Sequence, residues 1–203
     1  MHKAVTLVSV LVLGWSWTLQ GDNVLPTPLY PTQENFNLSR MMGKWYELAV
    51  VSTSPHYMER KRENPVIAAT ELQHVASENN FTKTDSILRN GTCTQMSKVI
   101  GLTNTPGRFF HHETRLSADV DSFLVDSNYD EYAMMLQLST EKPSGNLTTV
   151  VTLYSRTMDV RPAVLDDFKT LVKHHGMSDD AIIIQKNKDD CVSGEQVTKP
   201  ITT

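Results

Sequence analysis

Only two cysteines occur in 203 residues, at positions 93 and 191. That scarcity excludes a disulfide-dense scaffold and leaves no six-cysteine inhibitor module within these residues. Charge of either sign is also not in excess, with 19 Lys+Arg against 23 Asp+Glu. A nucleic-acid-binding chain concentrates basic charge, so no nucleic-acid partner is expected. The densest basic stretch, Glu59-Arg60-Lys61-Arg62-Glu63, is flanked by acids and reads as a solvated surface turn, with anion binding as the second reading. Seven histidines are present, but their spacings match no zinc pattern, so no metal site is expected. Beyond the N-terminus no segment is apolar enough to span a bilayer, which takes about 20 apolar residues.

The apolar run that does exist, Ala4 to Trp17 behind Lys3, is too short to span and fits a signal peptide over residues 1–21. Cleavage after Gly21 is expected, with Thr18 as the alternative. The chain is then secreted and extracellular, and the remaining residues 22–203 read as one domain. An oxidising route favours joining Cys93 to Cys191, against the alternative of two free thiols. A loop of that length is worth roughly 4–5 kcal/mol in the chain-entropy model. Four sequons become candidate glycan sites, at Asn37, Asn80, Asn90 and Asn146. Asn37 and Asn146 are favoured because both precede strands, whereas Asn90 is crowded by Cys93.

Short strand-like runs follow one another: Lys44–Val51, Val66–Val75, Asn80–Leu88, Thr94–Leu102, Arg108–Thr114, Ser122–Asp126, Tyr132–Ser139 and Thr148–Ser155. Turn signals separate several of them, including Asn90-Gly91, Pro106-Gly107 and Pro143-Ser144-Gly145. Eight such runs predict an antiparallel sandwich or barrel. Tyr132, Met134, Leu136 and Leu138 share one strand face. One segment differs. Val164, Leu165, Phe168, Leu171 and Val172 recur at helical spacing, so Pro162 to His175 predicts an amphipathic helix. Pro162 suits its first turn, and Gly176 its stop. A ninth short strand is expected at Ala181–Ile184, and a tail over about 186–203. Eight strands, one late helix and a ninth strand fit a barrel of about residues 40–156 with a helix packed outside.

Three stretches, in order, carry a resemblance. Gly43-Lys44-Trp45-Tyr46 resembles the Gly-x-Trp signature of the lipocalin family. Ser127-Asn128-Tyr129-Asp130-Glu131-Tyr132 resembles its second motif, and Leu153-Tyr154-Ser155-Arg156 its third. The resemblance implies an all-β, eight-stranded up-and-down barrel with one C-terminal helix outside. It also implies a non-catalytic carrier of a small hydrophobic ligand, with plasma proteins as further partners. Gly43 permits close backbone approach, and Arg156 is expected to lay its guanidinium on the Trp45 indole, closing one barrel end. Asn128, Tyr129 and Tyr132 belong to the same structural signature.

Further stretches, Gln33-Glu34-Asn35-Phe36-Asn37 and Cys191-Val192-Ser193-Gly194-Glu195-Gln196 among them, resemble one branch of that family. This likeness implies that haem is a possible ligand, although no cofactor is required. In that branch a cysteine at the barrel mouth, helped by lysines, supports reductase chemistry, and the precursor continues into Kunitz-type domains. Here Ser54 stands at the cysteine position, and Glu113, Ser139 and Thr152 at the lysine positions. A hydroxyl cannot cycle through thiolate and oxidised states, so reductase activity is not expected. Pocket-facing candidates are Tyr46, Ser54, Phe109, His112 and Met134. An inward His111 or His112 is a candidate axial ligand for haem. A filled barrel acting as a glycosylated interaction protein is the third reading.

Overall fold

The computed structural model describes residues 31–74, 79–89 and 92–186. The expected signal peptide, Asn90, Cys191 and the tail after Lys186 lie outside the described residues. A short helix α1 (Leu38–Met41) leads into strand β1 (Gly43–Ser52), and helix α2 (Pro55–Glu63) follows it. Seven strands come next: β2 (Ala68–His74), β3 (Asn80–Arg89), β4 (Thr92–Leu102), β5 (Arg108–Glu113), β6 (Ala118–Ser127), β7 (Tyr132–Glu141) and β8 (Leu147–Ser155). Helix α3 (Pro162–His174) and a two-residue strand β9 (Ile183–Ile184) complete the order.

Each strand pairs antiparallel with the next, and β1 pairs with both β8 and β2, which closes an eight-stranded up-and-down barrel. Closure removes the exposed edges that an open sheet would present. Strand β9 lies outside that ring, pairing with the second half of β1 at Ala49↔Ile184 and Val50↔Ile183. It fits there because β2 follows β1 only from Gly43 to Glu47.

Most strand bounds match the sequence reading to within two residues. The exception is β6, which begins at Ala118 rather than Ser122. Asp119 and Asp121 make its start look like a turn. In the barrel they point outward, where Asp121 pairs with Arg108 at 2.9 Å, while Ala118, Val120 and Ser122 are buried. The other correction is α2. The Glu59–Glu63 patch is the last half of a helix, not a turn. Ser54 caps that helix by accepting the Tyr57 N–H at 3.3 Å, and Pro55 follows at its first position. Met58 anchors it in the apolar cluster, and Lys61 reaches Glu47 at 2.5 Å. Arg60 and Arg62 are exposed.

Two apolar clusters divide the molecule. The outer one lies between the barrel wall and α3, where Phe168, Val164 and Val172 meet Phe123, Met134, Leu136, Val151 and Leu153. Phe168 is fully buried. The inner one fills the barrel floor with Met41, Trp45, Leu72, Phe81, Ile100, Phe109 and Tyr129.

Candidate functional site

The floor is built by the three sequence motifs. Gly43 takes φ +90, and a Cβ there would come within 3.5 Å of the Arg156 guanidinium. That guanidinium lies 3.6 Å from the Trp45 ring centroid. It also donates to three backbone carbonyls, those of Tyr129 at 2.8 Å, Lys44 at 2.8 Å and Arg40 at 2.7 Å. Trp45, 2% exposed, donates its indole N–H to the Met41 carbonyl at 2.8 Å. Asn128 turns the chain between β6 and β7, its amide oxygen accepting the N–H groups of Glu131 and Tyr132. Tyr129 sits at φ 63 and its hydroxyl accepts the Asn37 N–H at 2.9 Å, tying the turn to α1. Tyr132 lies on the outer wall and donates to Asp126.

Above this floor is a partly open cavity. Met41, Trp45, Leu72, Phe81, Ile100 and Phe109 supply its apolar base, with Ala133, Met135 and Tyr154 on the far wall. Phe81 and Phe109 meet edge-to-face, with ring centroids 5.3 Å apart. Thr70, Lys83, Lys98, His111, Ser122 and Gln137 form a polar belt higher up. Within the belt, Lys83 is bonded to Asp85, and Thr70 donates to the same carboxylate at 2.7 Å. Burial opposes ionisation of Asp85, but Lys83 and these bonds hold its carboxyl below the usual range. Gln137 donates to Ser122 at 3.2 Å. His111 is 8% exposed, and burial, followed by the Lys98 charge, pushes its imidazole down to about 4. It is therefore neutral at physiological pH. Its Nδ1 is buried without a hydrogen-bond partner.

Strands β4 and β5 pair only near the floor, at Gly101↔Phe110 and Leu102↔Phe109. Toward the mouth, Lys98 and Glu113 span the seam instead, 3.6 Å apart. Leu116 and Leu147, at the loops that rim this end, are exposed.

Of the five pocket candidates, only Phe109 lines the cavity. Tyr46 faces outward, under the Lys44 ammonium. Met134 is buried beneath α3, and its neighbour Met135 takes the inner position. His112 lies on the outer wall, 2.9 Å from Asp119, and His111 is the inward member of that pair. Ser54 caps α2 and is not among the lining residues. The reason is strand parity. Side chains alternate, so Phe109 and His112, three apart, cannot share a face, whereas Phe109 and His111 can. That inference was available once Phe109 was set inward. Lys83 and Lys98 carried no local signal, because a lysine in a strand ordinarily faces water.

Asn37 and Asn146 are exposed, with Asn37 also capping α1. The Asn80 side-chain oxygen is buried at the start of β3. Cys93 lies on β4 opposite Leu88. Among the described residues no group of three His, Cys, Asp or Glu side chains is placed to hold a metal. Among the same residues, no helix is long and apolar enough to cross a membrane.

Residues 42–189 match the model of the lipocalin / cytosolic fatty-acid binding protein family. Protein AMBP of Pleuronectes platessa is 54% identical over 97% of this chain, and that of Rattus norvegicus 33% identical over 92%. The chain spans about half the length of these relatives, 55% and 53% respectively. The matched portion is alpha-1-microglobulin-like. Prostaglandin-H2 D-isomerase of Felis catus is 27% identical over 79% of this chain and 82% of its own length. Among solved structures, the siderocalin Ex-FABP superposes with a TM-score of 0.62 over 74% of this chain and 96% of its own, at 16% identity.

Proposed function

This chain belongs to the lipocalin family, whose members bind small hydrophobic ligands, and from that premise we propose that it is a secreted, non-catalytic carrier of such a ligand. The observation that carries this reading is the apolar cavity closed below by the Trp45–Arg156 plug. Pockets of this kind take their affinity from apolar burial, about 25 cal/mol per Å² before ordering costs. The secretory reading of residues 1–21 and the sequons support an extracellular setting, with plasma proteins as partners.

A neutral naphthylamine dye tests it directly. Saturable one-to-one binding with enhanced emission is expected, and Leu72→Trp, which fills the cavity base, should abolish binding in a protein that still unfolds cooperatively. A barrel already filled, acting only through its surface, would give no saturable signal in the wild-type protein.

Haem is the further ligand suggested by the likeness to alpha-1-microglobulin. The relative named as an isomerase shows that family membership alone does not decide against catalysis. The residues here do argue against thiol chemistry: no cysteine lines the cavity among the described residues, and Ser54 serves as a helix cap. Haem binding is expected to be weaker than in Ser54→Cys, and wild type should show no sustained reduction of an electron acceptor. Equal turnover in the two proteins would overturn this reading of Ser54.

A further inference from the structure

Helix α2 turns one face toward the barrel. Tyr57, Met58 and Lys61 recur at helical spacing on that face, while His56, Glu59, Arg60 and Glu63 are exposed. Apolar packing holds the helix at few points, since Met58 is its buried residue and Tyr57 is only partly buried. The other tie is polar. Lys61 donates to Glu47 at 2.5 Å, with the two side chains 20% and 13% exposed. Among the described residues no other ion pair joins α2 to the rest of the chain.

Glu47 belongs to the barrel interior. It lies two residues beyond Trp45 on β1 and opposite Tyr154 on β8, and both of those residues line the cavity. Strand alternation therefore places its carboxylate on the inner face, above the floor. To meet it, Lys61 has to reach over the barrel wall. Tyr57 reaches the same way. Burial first, then the Glu47 charge, push its phenol above the ordinary value, with Asp85 adding to them and Arg60 opposing. Asp85 is bonded to Thr70 and Lys83, two residues of the polar belt. Helix α2 thus overhangs the cavity on the side of β1, β2 and β3.

The two halves of the pair are not equally held. Gln185, just after β9, donates to the same Glu47 carboxylate, and its own N–H is fixed to the Leu48 carbonyl at 2.8 Å. Glu47 is the anchored half. Lys61 is the half that can leave, because its stem is flexible and the helix that carries it is exposed on its far side. So enclosed a pair contributes little net stability, because both charges give up water to form it. When α2 lifts, both charges regain that water. We propose that the Glu47–Lys61 pair is a latch that holds α2 over the cavity mouth and sets the rate at which ligand enters and leaves. A latch that does not touch the ligand changes the entry and exit rates by the same factor and leaves affinity alone.

The latch rests on the carrier reading, and rates and affinity separate the two. Binding of the neutral dye is followed by stopped flow at pH 7.4. Release is followed by mixing dye-loaded protein with an excess of neutral phosphatidylcholine vesicles. Lys61→Met and Glu47→Gln should each raise both rate constants about fivefold or more, with the equilibrium affinity within about twofold of wild type. The exchanged pair, Glu47→Lys with Lys61→Glu, should return both rates to near the wild-type values, since the Gln185 amide can turn its oxygen to the new lysine. If Lys61→Met does not fold, Glu47→Gln carries the comparison. Unchanged rates beside intact binding would overturn the latch and leave the carrier reading standing. A change in affinity with an unchanged entry rate would mean that the pair touches the ligand, and would also overturn it. Fast exchange in the exchanged pair would show that packing rather than charge holds α2, with the same consequence. No saturable binding in wild type would remove the carrier reading and the latch together.

Discussion

Arg156 packs its guanidinium 3.6 Å from the centre of the Trp45 ring and, from that position, reaches the carbonyls of Arg40, Lys44 and Tyr129. One side chain thereby ties α1, β1, the β6–β7 turn and the end of β8 into a single floor. A cation on an indole contributes about 0.5–2 kcal/mol, and each charged hydrogen bond adds to it.

Arg156→Ala should therefore lower stability by about 3 kcal/mol in urea unfolding, while dye affinity of the folded protein changes little. Lost binding with an unchanged unfolding midpoint would contradict the structural role. Arg156→Lys should recover only part of the loss, because an ammonium cannot lie flat on the ring and serve three carbonyls at once.

The neighbouring methionines separate wall from cavity. Met134 is 2% exposed in the cluster under α3, and Met135 lines the cavity. Met134→Ala should cost about 2–5 kcal/mol of stability with dye affinity retained. Met135→Ala should cost less and alter dye affinity. Reversed outcomes would place the strand in the opposite phase.

His111 sets a pH dependence. Its folded imidazole is held near 4 by burial, with Lys98 next and Lys83 and His112 adding to it, and Glu113 opposing. The unfolded value is about 6.5. Protons then bind the unfolded chain preferentially between these values, so stability falls as pH drops from about 6.5 toward 4 and is unaffected above. For a shift from about 6.5 to about 4 the penalty is about 3 kcal/mol when complete. His111→Gln should flatten the stability profile in that window alone. Parallel wild-type and variant profiles would show that His111 is not held neutral.

Cys93 and Cys191 are proposed to form a disulfide. Thiol titration of the denatured, unreduced protein should detect essentially no free thiol, and reduction should destabilise it by a few kcal/mol. Two reactive thiols would return redox chemistry to consideration.

Element positions were largely legible in the residues. Turn dipeptides such as Pro106-Gly107 punctuate the strands, and the apolar repeat from Val164 to Val172 marks α3. These signals act over a few residues and do not depend on what packs against them. Helix α2 was missed because charge dominates its second half. Its cues were present in Ser54 and Pro55, a cap followed by a first-turn proline.

Which face of each strand became the interior was decided only by closure. Period-two alternation is symmetric, so His111-His112 and Met134-Met135 read identically from either side. Apolar residues also occupy both faces of β7, since α3 covers the outside as the cavity occupies the inside. The plugged floor was expected from the family-like motifs that hold Gly43, Trp45 and Arg156, and the fold brings these three residues together. The polar belt was a tertiary outcome. Lys83, Lys98 and His111 are separated along the chain, and only the antiparallel register of β3, β4 and β5 sets them around one cavity, where burial holds the His111 imidazole neutral.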